Sequence, residues 1–156
     1  MKTLKIWSLV ALMFIGLASC EPTNGPEAPA EGLDKIVNEW VLISWGGEDA
    51  KYRVYIDFND DNTFTIYQQV YSLNYVMYTG TYTLSGSTLS GVYDDGSVWK
   101  TDYQAAITNE GTLLSLTSIE EVSTVGVYST TVIPEDVKVE AEDTRSEEGV
   151  EWTPFL

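Results

Sequence analysis

Histidine is missing altogether from this 156-residue sequence, and cysteine occurs once, at Cys20. Without histidine, the Ser-His and Cys-His nucleophile systems lose their base, and transition-metal sites lose a principal ligand. A lone cysteine has no partner in the chain for a disulfide. Basic residues are scarce as well, with eight Lys and Arg against 24 Asp and Glu. Six of those eight, and all 24 acids, follow Cys20, so that part of the chain carries a net charge of −18. Nucleic-acid surfaces need clustered Lys and Arg; none exists here, and that class of partner is excluded. No apolar run reaches the roughly 20 residues of a spanning helix, and no helical stripe of useful length runs through the body.

What is present begins with an address. Lys2 and Lys5 open the chain, and the uncharged apolar run "IWSLVALMFIGL" follows from Ile6 to Leu17. Basic, then apolar, then small residues is the layout of a secretory signal. Leu17, Ala18 and Ser19 lead into Cys20, an order that resembles the bacterial lipobox. On that resemblance, residues 1–19 are a lipoprotein signal peptide, and Cys20 is acylated and becomes the first residue of the mature chain. An unpaired thiol is a liability in an oxidising compartment, which favours lipidation over a chance cysteine. Two or three acyl chains hold a protein stably at about 0.8 kcal/mol per buried methylene. The expected membrane partner is therefore the bilayer, engaged through lipid at Cys20. "EPTNGPEAPAEG" (Glu21 to Gly32) has three prolines, two glycines, three glutamates and no large apolar residue. Residues 20–33 are read as the lipidated Cys and a flexible tether, reaching roughly 40 Å in a polyproline-like form.

From Glu39 to Ile133 the dominant period is two, which is the signature of half-buried strands. In "YRVYIDF" Tyr52, Val54, Ile56 and Phe58 share one face; in "TFTIYQQVY" Phe64, Ile66, Gln68 and Val70 do so. "NDDN", "SGS" and "DDGS" are turn signals, because Gly accepts positive φ and Asp bonds its own backbone. Eight strand-like stretches result, and loops this short force antiparallel neighbours. Residues 34–133 are accordingly expected to be all-β, an eight-stranded antiparallel up-and-down meander closing into a small barrel, since closure abolishes both edges. A two-sheet sandwich is the competing architecture. Residues 134–156 form an acidic C-terminal tail. Within it Val137 and Ala141 are the one apolar stripe, and "EWTPFL" is an apolar ending that either docks or frays.

The meander beginning "NEWVLISW" and containing "YIDFNDDNTFTIYQ", "GTYTLSGSTLSGVYDDGSVW" and "IPEDV" resembles the lipocalin-like (calycin-type) lipoproteins of Bacteroidales-type bacteria, over roughly residues 36 to 156. The family opening Gly-x-Trp stands here as Asn38-Glu39-Trp40, and its late-strand Arg has no counterpart between Val122 and Ile133. The resemblance implies a lipocalin-like barrel with Trp40 plugging one end. It also implies anchorage in the cell envelope of a Gram-negative bacterium, at the outer membrane, with the periplasmic and surface faces both open.

Candidate chemistry is thin, and no cofactor or metal is expected. Asp57, Asn59 and Asp61 mimic the start of a calcium loop, but Asn62 stands where Gly is needed and Gln68 where a bidentate Glu is needed. Asp94 and Asp95 precede a turn Gly, and Glu120 and Glu121 fall in a connection. Glycosidases need two carboxyls roughly 5–9.5 Å apart across a cleft, and nothing singles out such a pair. Aromatics are more informative, with ten tyrosines and five tryptophans. Tyr offers a flat apolar face and a hydroxyl, suited to amphipathic or sugar-like ligands, although aromatics also simply favour strands. Gln68 in phase with Phe64 and Ile66, and Thr101 between Trp99 and Tyr103, place polar groups inward, where they need partners. The candidate cavity set is Gln68, Tyr78, Tyr82, Trp99 and Tyr103. The leading expectation is non-catalytic binding of a small molecule. A filled barrel serving as an accessory subunit for an envelope protein partner is the alternative, and a carboxylate glycosidase the third.

Overall fold

The computed structural model describes residues 28–122, 124–145 and 153–156. The signal segment, Cys20, most of the tether and Trp152 lie outside the described residues. Nine strands appear among those described: β1 (Asn38–Trp45), β2 (Glu48–Asp49), β3 (Arg53–Phe58), β4 (Thr63–Gln69), β5 (Val76–Ser85), β6 (Thr88–Tyr93), β7 (Tyr103–Thr108), β8 (Leu113–Ser118) and β9 (Val125–Thr130). All pairings are antiparallel between sequence neighbours, except that β2 is a two-residue appendage on β1 and β3 pairs with β1 directly. β1 also pairs with β9, Trp40 opposite Thr130 and Trp45 opposite Gly126, with a bulge between Leu42 and Ser44. That last ladder decides the architecture. Eight strands close on themselves into an all-β, up-and-down barrel of the lipocalin-like kind, and the sandwich is excluded.

Alternation puts one face of each strand inside. Along β3 Val54, Ile56 and Phe58 are buried while Arg53, Tyr55 and Asp57 are not. β4 breaks the pattern, because Ile66, Tyr67 and Gln68 are buried in succession. The cause is a helix on the outside of the barrel. α1 (Glu135–Arg145) packs Val137 and Ala141 with Ile133 against Tyr67 and Tyr75, covering the outer face of β4 and β5. Glu39 anchors the helix approach, accepting the Ile133 N–H at 2.7 Å and the Lys138 ammonium at 2.9 Å.

One strand begins later than its alternation suggests. Thr101 was placed inward between Trp99 and Tyr103 on strand-like alternation, yet β7 starts only at Tyr103. Val98 instead bridges back to Val92, and the Trp99 N–H donates to the Gly91 carbonyl. Gly91 makes this fold-back possible: a Cβ there would lie 2.1 Å from the Trp99 ring. β6 and β7 consequently share only two paired positions.

The two barrel ends differ. At one, a 3-10 helix (Leu33–Ile36) buries Leu33 and Ile36 over the opening, and Ile36 accepts the Trp40 indole N–H at 2.8 Å. Leu33, expected in the tether, is thus part of the core, and Ala30 already donates to the Gly86 carbonyl. At the other end four connections, residues 46–52, 70–75 and 94–102 together with the one holding Glu120, Glu121 and Thr124, form the rim of a mouth.

A candidate binding mouth occupied by the chain's own tail

The expected partner for the inward polar residue on β4 was a ligand or a water. The structure supplies a different one. Thr153–Leu156 enter the mouth and bury Phe155 and Leu156 among the interior aromatics. Gln68, 2 % exposed, donates through Nε2 to the Thr153 carbonyl at 2.9 Å and accepts the Phe155 N–H through Oε1 at 2.7 Å. A carbonyl only accepts and an N–H only donates, so the two ends of the amide are fixed by their partners. Tyr93 donates its hydroxyl to the Leu156 carbonyl at 2.9 Å, and Lys100 Nζ reaches the Pro154 carbonyl at 2.9 Å. The Thr153 N–H approaches the Tyr78 hydroxyl at 3.4 Å. Phe155 leans on Trp45 with ring centroids 4.6 Å apart.

Two clefts open beside this segment. One, about 450 Å³, is lined by Gln68, Val70, Tyr71, Val76, Tyr78 and Thr153. The second, about 350 Å³, runs between Trp45, Tyr52, Lys100, Tyr103 and Phe155. Deeper in the barrel, Phe64 packs edge-on to Tyr93 and to Trp99, and Trp99 to Tyr103. Two buried donors, Trp99 Nε1 and the Tyr128 hydroxyl, have no acceptor among the described residues. Burial pushes the Tyr103 phenol up to about 12, and raises those of Tyr93 and Tyr128 well above the ordinary value. All three stay neutral hydrogen-bond donors at physiological pH.

The candidate set therefore divides. Gln68 and Tyr78 border one cleft and Tyr103 the other. Trp99 sits in the aromatic wall and borders an outer groove with Gly91. Tyr82 lies near the closed end, donating to the Asn59 carbonyl at 2.8 Å and packing edge-on to Phe58; it does not line the cleft of about 450 Å³ that Gln68 borders. Trp40 is fully buried next to the 3-10 helix that covers that end. Thr101 borders the mouth, half-buried, with its hydroxyl on the Asp102 carbonyl at 2.9 Å. Trp45, Tyr93 and Lys100 were not singled out as site residues from the sequence; of the two expectations for the apolar ending, docking holds for Phe155 and Leu156.

The carboxylates do turn work. Asp61 accepts the Thr63 N–H and hydroxyl at 3.0 and 2.6 Å, and these bonds hold its carboxyl below the usual range. Asp95 does the same with Ser97. Glu121 accepts from the Thr124 hydroxyl within its connection. Among the described residues no three acidic side chains converge on a metal-sized site. No protein-family model matches the chain, and neither does any curated protein. Geometry alone must carry the functional reading.

Proposed function

We propose that this protein is a lipoprotein of the lipocalin-like kind, moored by acylated Cys20 to the outer membrane of a Gram-negative bacterium. Its barrel binds a small amphipathic ligand without transforming it. The observation that supports this most is the mouth itself. A buried amide, two tyrosine hydroxyls and an ammonium converge on an apolar, aromatic-walled space, which is the usual build of a small-molecule pocket. The chain's own segment, which sets apolar groups and polar main-chain handles in that space, supports the reading. Native mass spectrometry of the chain from Glu21 onward, purified from its own host, tests the reading. A co-purifying small molecule is expected. A bare mass in every preparation would contradict it.

A filled barrel acting as an accessory subunit is the second reading, and full burial of Trp40 and Leu156 favours it. On that reading no small molecule travels with the protein, and mutations at the mouth leave its envelope complex intact.

A further inference from the structure

Five bonds to Thr153–Leu156 share one property: each engages a main-chain atom of the segment. Gln68 reads one carbonyl and one N–H, Tyr93 and Lys100 read carbonyls, and Tyr78 faces an N–H. The side chains contribute apolar contact, Phe155 on Trp45 and Leu156 in the core. Spaced carbonyl and amide recognition with apolar pockets between is how proteins bind extended peptides. Plain sugars can donate hydroxyls to Gln68 Oε1 but lack the spaced amide carbonyls that Gln68 Nε2, Tyr93 and Lys100 engage, and fatty acids lack both the N–H and the repeated carbonyls.

The occupant is also attached in a way that permits release. Thr153–Leu156 belong to no strand and contribute nothing to the closed ladder. Their polar anchors are side chains from the barrel wall and rim. Seven residues separate the helix end at Arg145 from Thr153. The flanking clefts leave room for an incoming chain beside the resident one.

We propose that the mouth is a receptor for short extended peptides carrying an adjacent aromatic and aliphatic residue, and that Thr153–Leu156 is its displaceable resident. This rests on the binding-barrel reading and narrows its ligand to peptides. Tethering gives the resident an effective concentration on the order of millimolar, so an added peptide binds the unaltered chain weakly.

The test uses the chain from Glu21 onward and an acetylated peptide with the sequence of residues 153–156, titrated calorimetrically. In the variant Phe155→Ser/Leu156→Ser, the peptide is expected to bind about tenfold or more tightly than in the unaltered chain. Adding Gln68→Leu to that variant should reverse the gain by about tenfold. A scrambled peptide and dodecanoate serve as controls. Dodecanoate binding with no peptide binding overturns the peptide assignment and leaves the binding barrel standing. If neither binds, the peptide inference falls while the native mass spectrum decides the binding barrel, and equal binding of the scrambled peptide also overturns the inference. If the double variant does not fold, the unaltered chain decides. Millimolar peptide must speed hydrogen exchange at the Phe155 and Leu156 amides about tenfold while the β1–β9 ladder is unchanged; unaltered exchange refutes displacement.

Discussion

Replacing Gln68 with leucine should release the tail and leave the barrel closed. Burying Phe155 and Leu156 contributes about 2–2.5 kcal/mol each, and the Phe155–Trp45 ring pair about 1 kcal/mol. Four main-chain bonds of 2.7–2.9 Å add about 1 kcal/mol each. Against this total of roughly 9–10 kcal/mol stands the ordering of four residues. That costs about 1.5 kcal/mol per backbone unit and about 1 kcal/mol for the two side chains, near 7 kcal/mol in all. Docking is favourable by only about 2–3 kcal/mol. Gln68→Leu removes two of the four bonds and strands the buried Phe155 N–H, a loss of about 3–4 kcal/mol. The balance then favours the released tail. Leucine itself suits the position, which points inward in phase with Phe64 and Ile66. Amide hydrogen exchange followed by NMR is the assay. Phe155 should be protected about 50-fold in the unaltered chain and essentially unprotected in the variant, with Leu42 and Tyr128 on the closing ladder unchanged. Retained protection at Phe155 would refute the reasoning. So would loss of the whole barrel, because it would make tail and barrel one cooperative unit.

Alkaline pH should unfold the protein steeply. Tyr93, Tyr103 and Tyr128 have folded pKa values above the ordinary 10 because burial disfavours the phenolate. Their stabilisation is complete below pH 10 and is lost as pH rises toward the folded values, at about 1.4 kcal/mol per pH unit each and so roughly 4 together. Urea melts at stepped pH should show this slope; a flat profile between pH 10 and 11.5 would contradict it. Gly80→Ala should cost about 3 kcal/mol or more, because its Cβ would sit 2.2 Å from the Val92 carbonyl and 2.8 Å from Tyr93 Cα. Both are backbone atoms and yield only if β5 and β6 part. Glu39→Ala should cost about 1–2 kcal/mol, chiefly from the orphaned Ile133 N–H. Its ion pair with Lys138 is a quarter to a third exposed and adds little. Faster exchange confined to α1 would accompany the loss.

The strands were legible because inward and outward residues alternate cleanly, as in Val54, Ile56 and Phe58 against Arg53, Tyr55 and Asp57. Closure followed from the short turns and the cost of two open edges. The inward phase of Gln68 was legible for the same reason, and so was its need for a partner. Its partner was not, since Gln68 bonds main-chain atoms 85 and 87 residues away, and backbone groups carry no residue-type signal. Tyr67 breaks the period because α1 covers the outer face there, a tertiary effect that local alternation does not encode. The Val98–Thr101 fold-back was hidden for a related reason. Gly91 admits the Trp99 ring, but a glycine in a strand looks the same whether it receives a ring or marks a bulge.

The most direct test of the occupied mouth is a nuclear Overhauser measurement on the chain from Glu21 onward, between the Phe155 ring and the Trp45 indole. A strong cross-peak is expected from centroids 4.6 Å apart. A Phe155 ring with random-coil shifts and no contact to Trp45 would contradict the account.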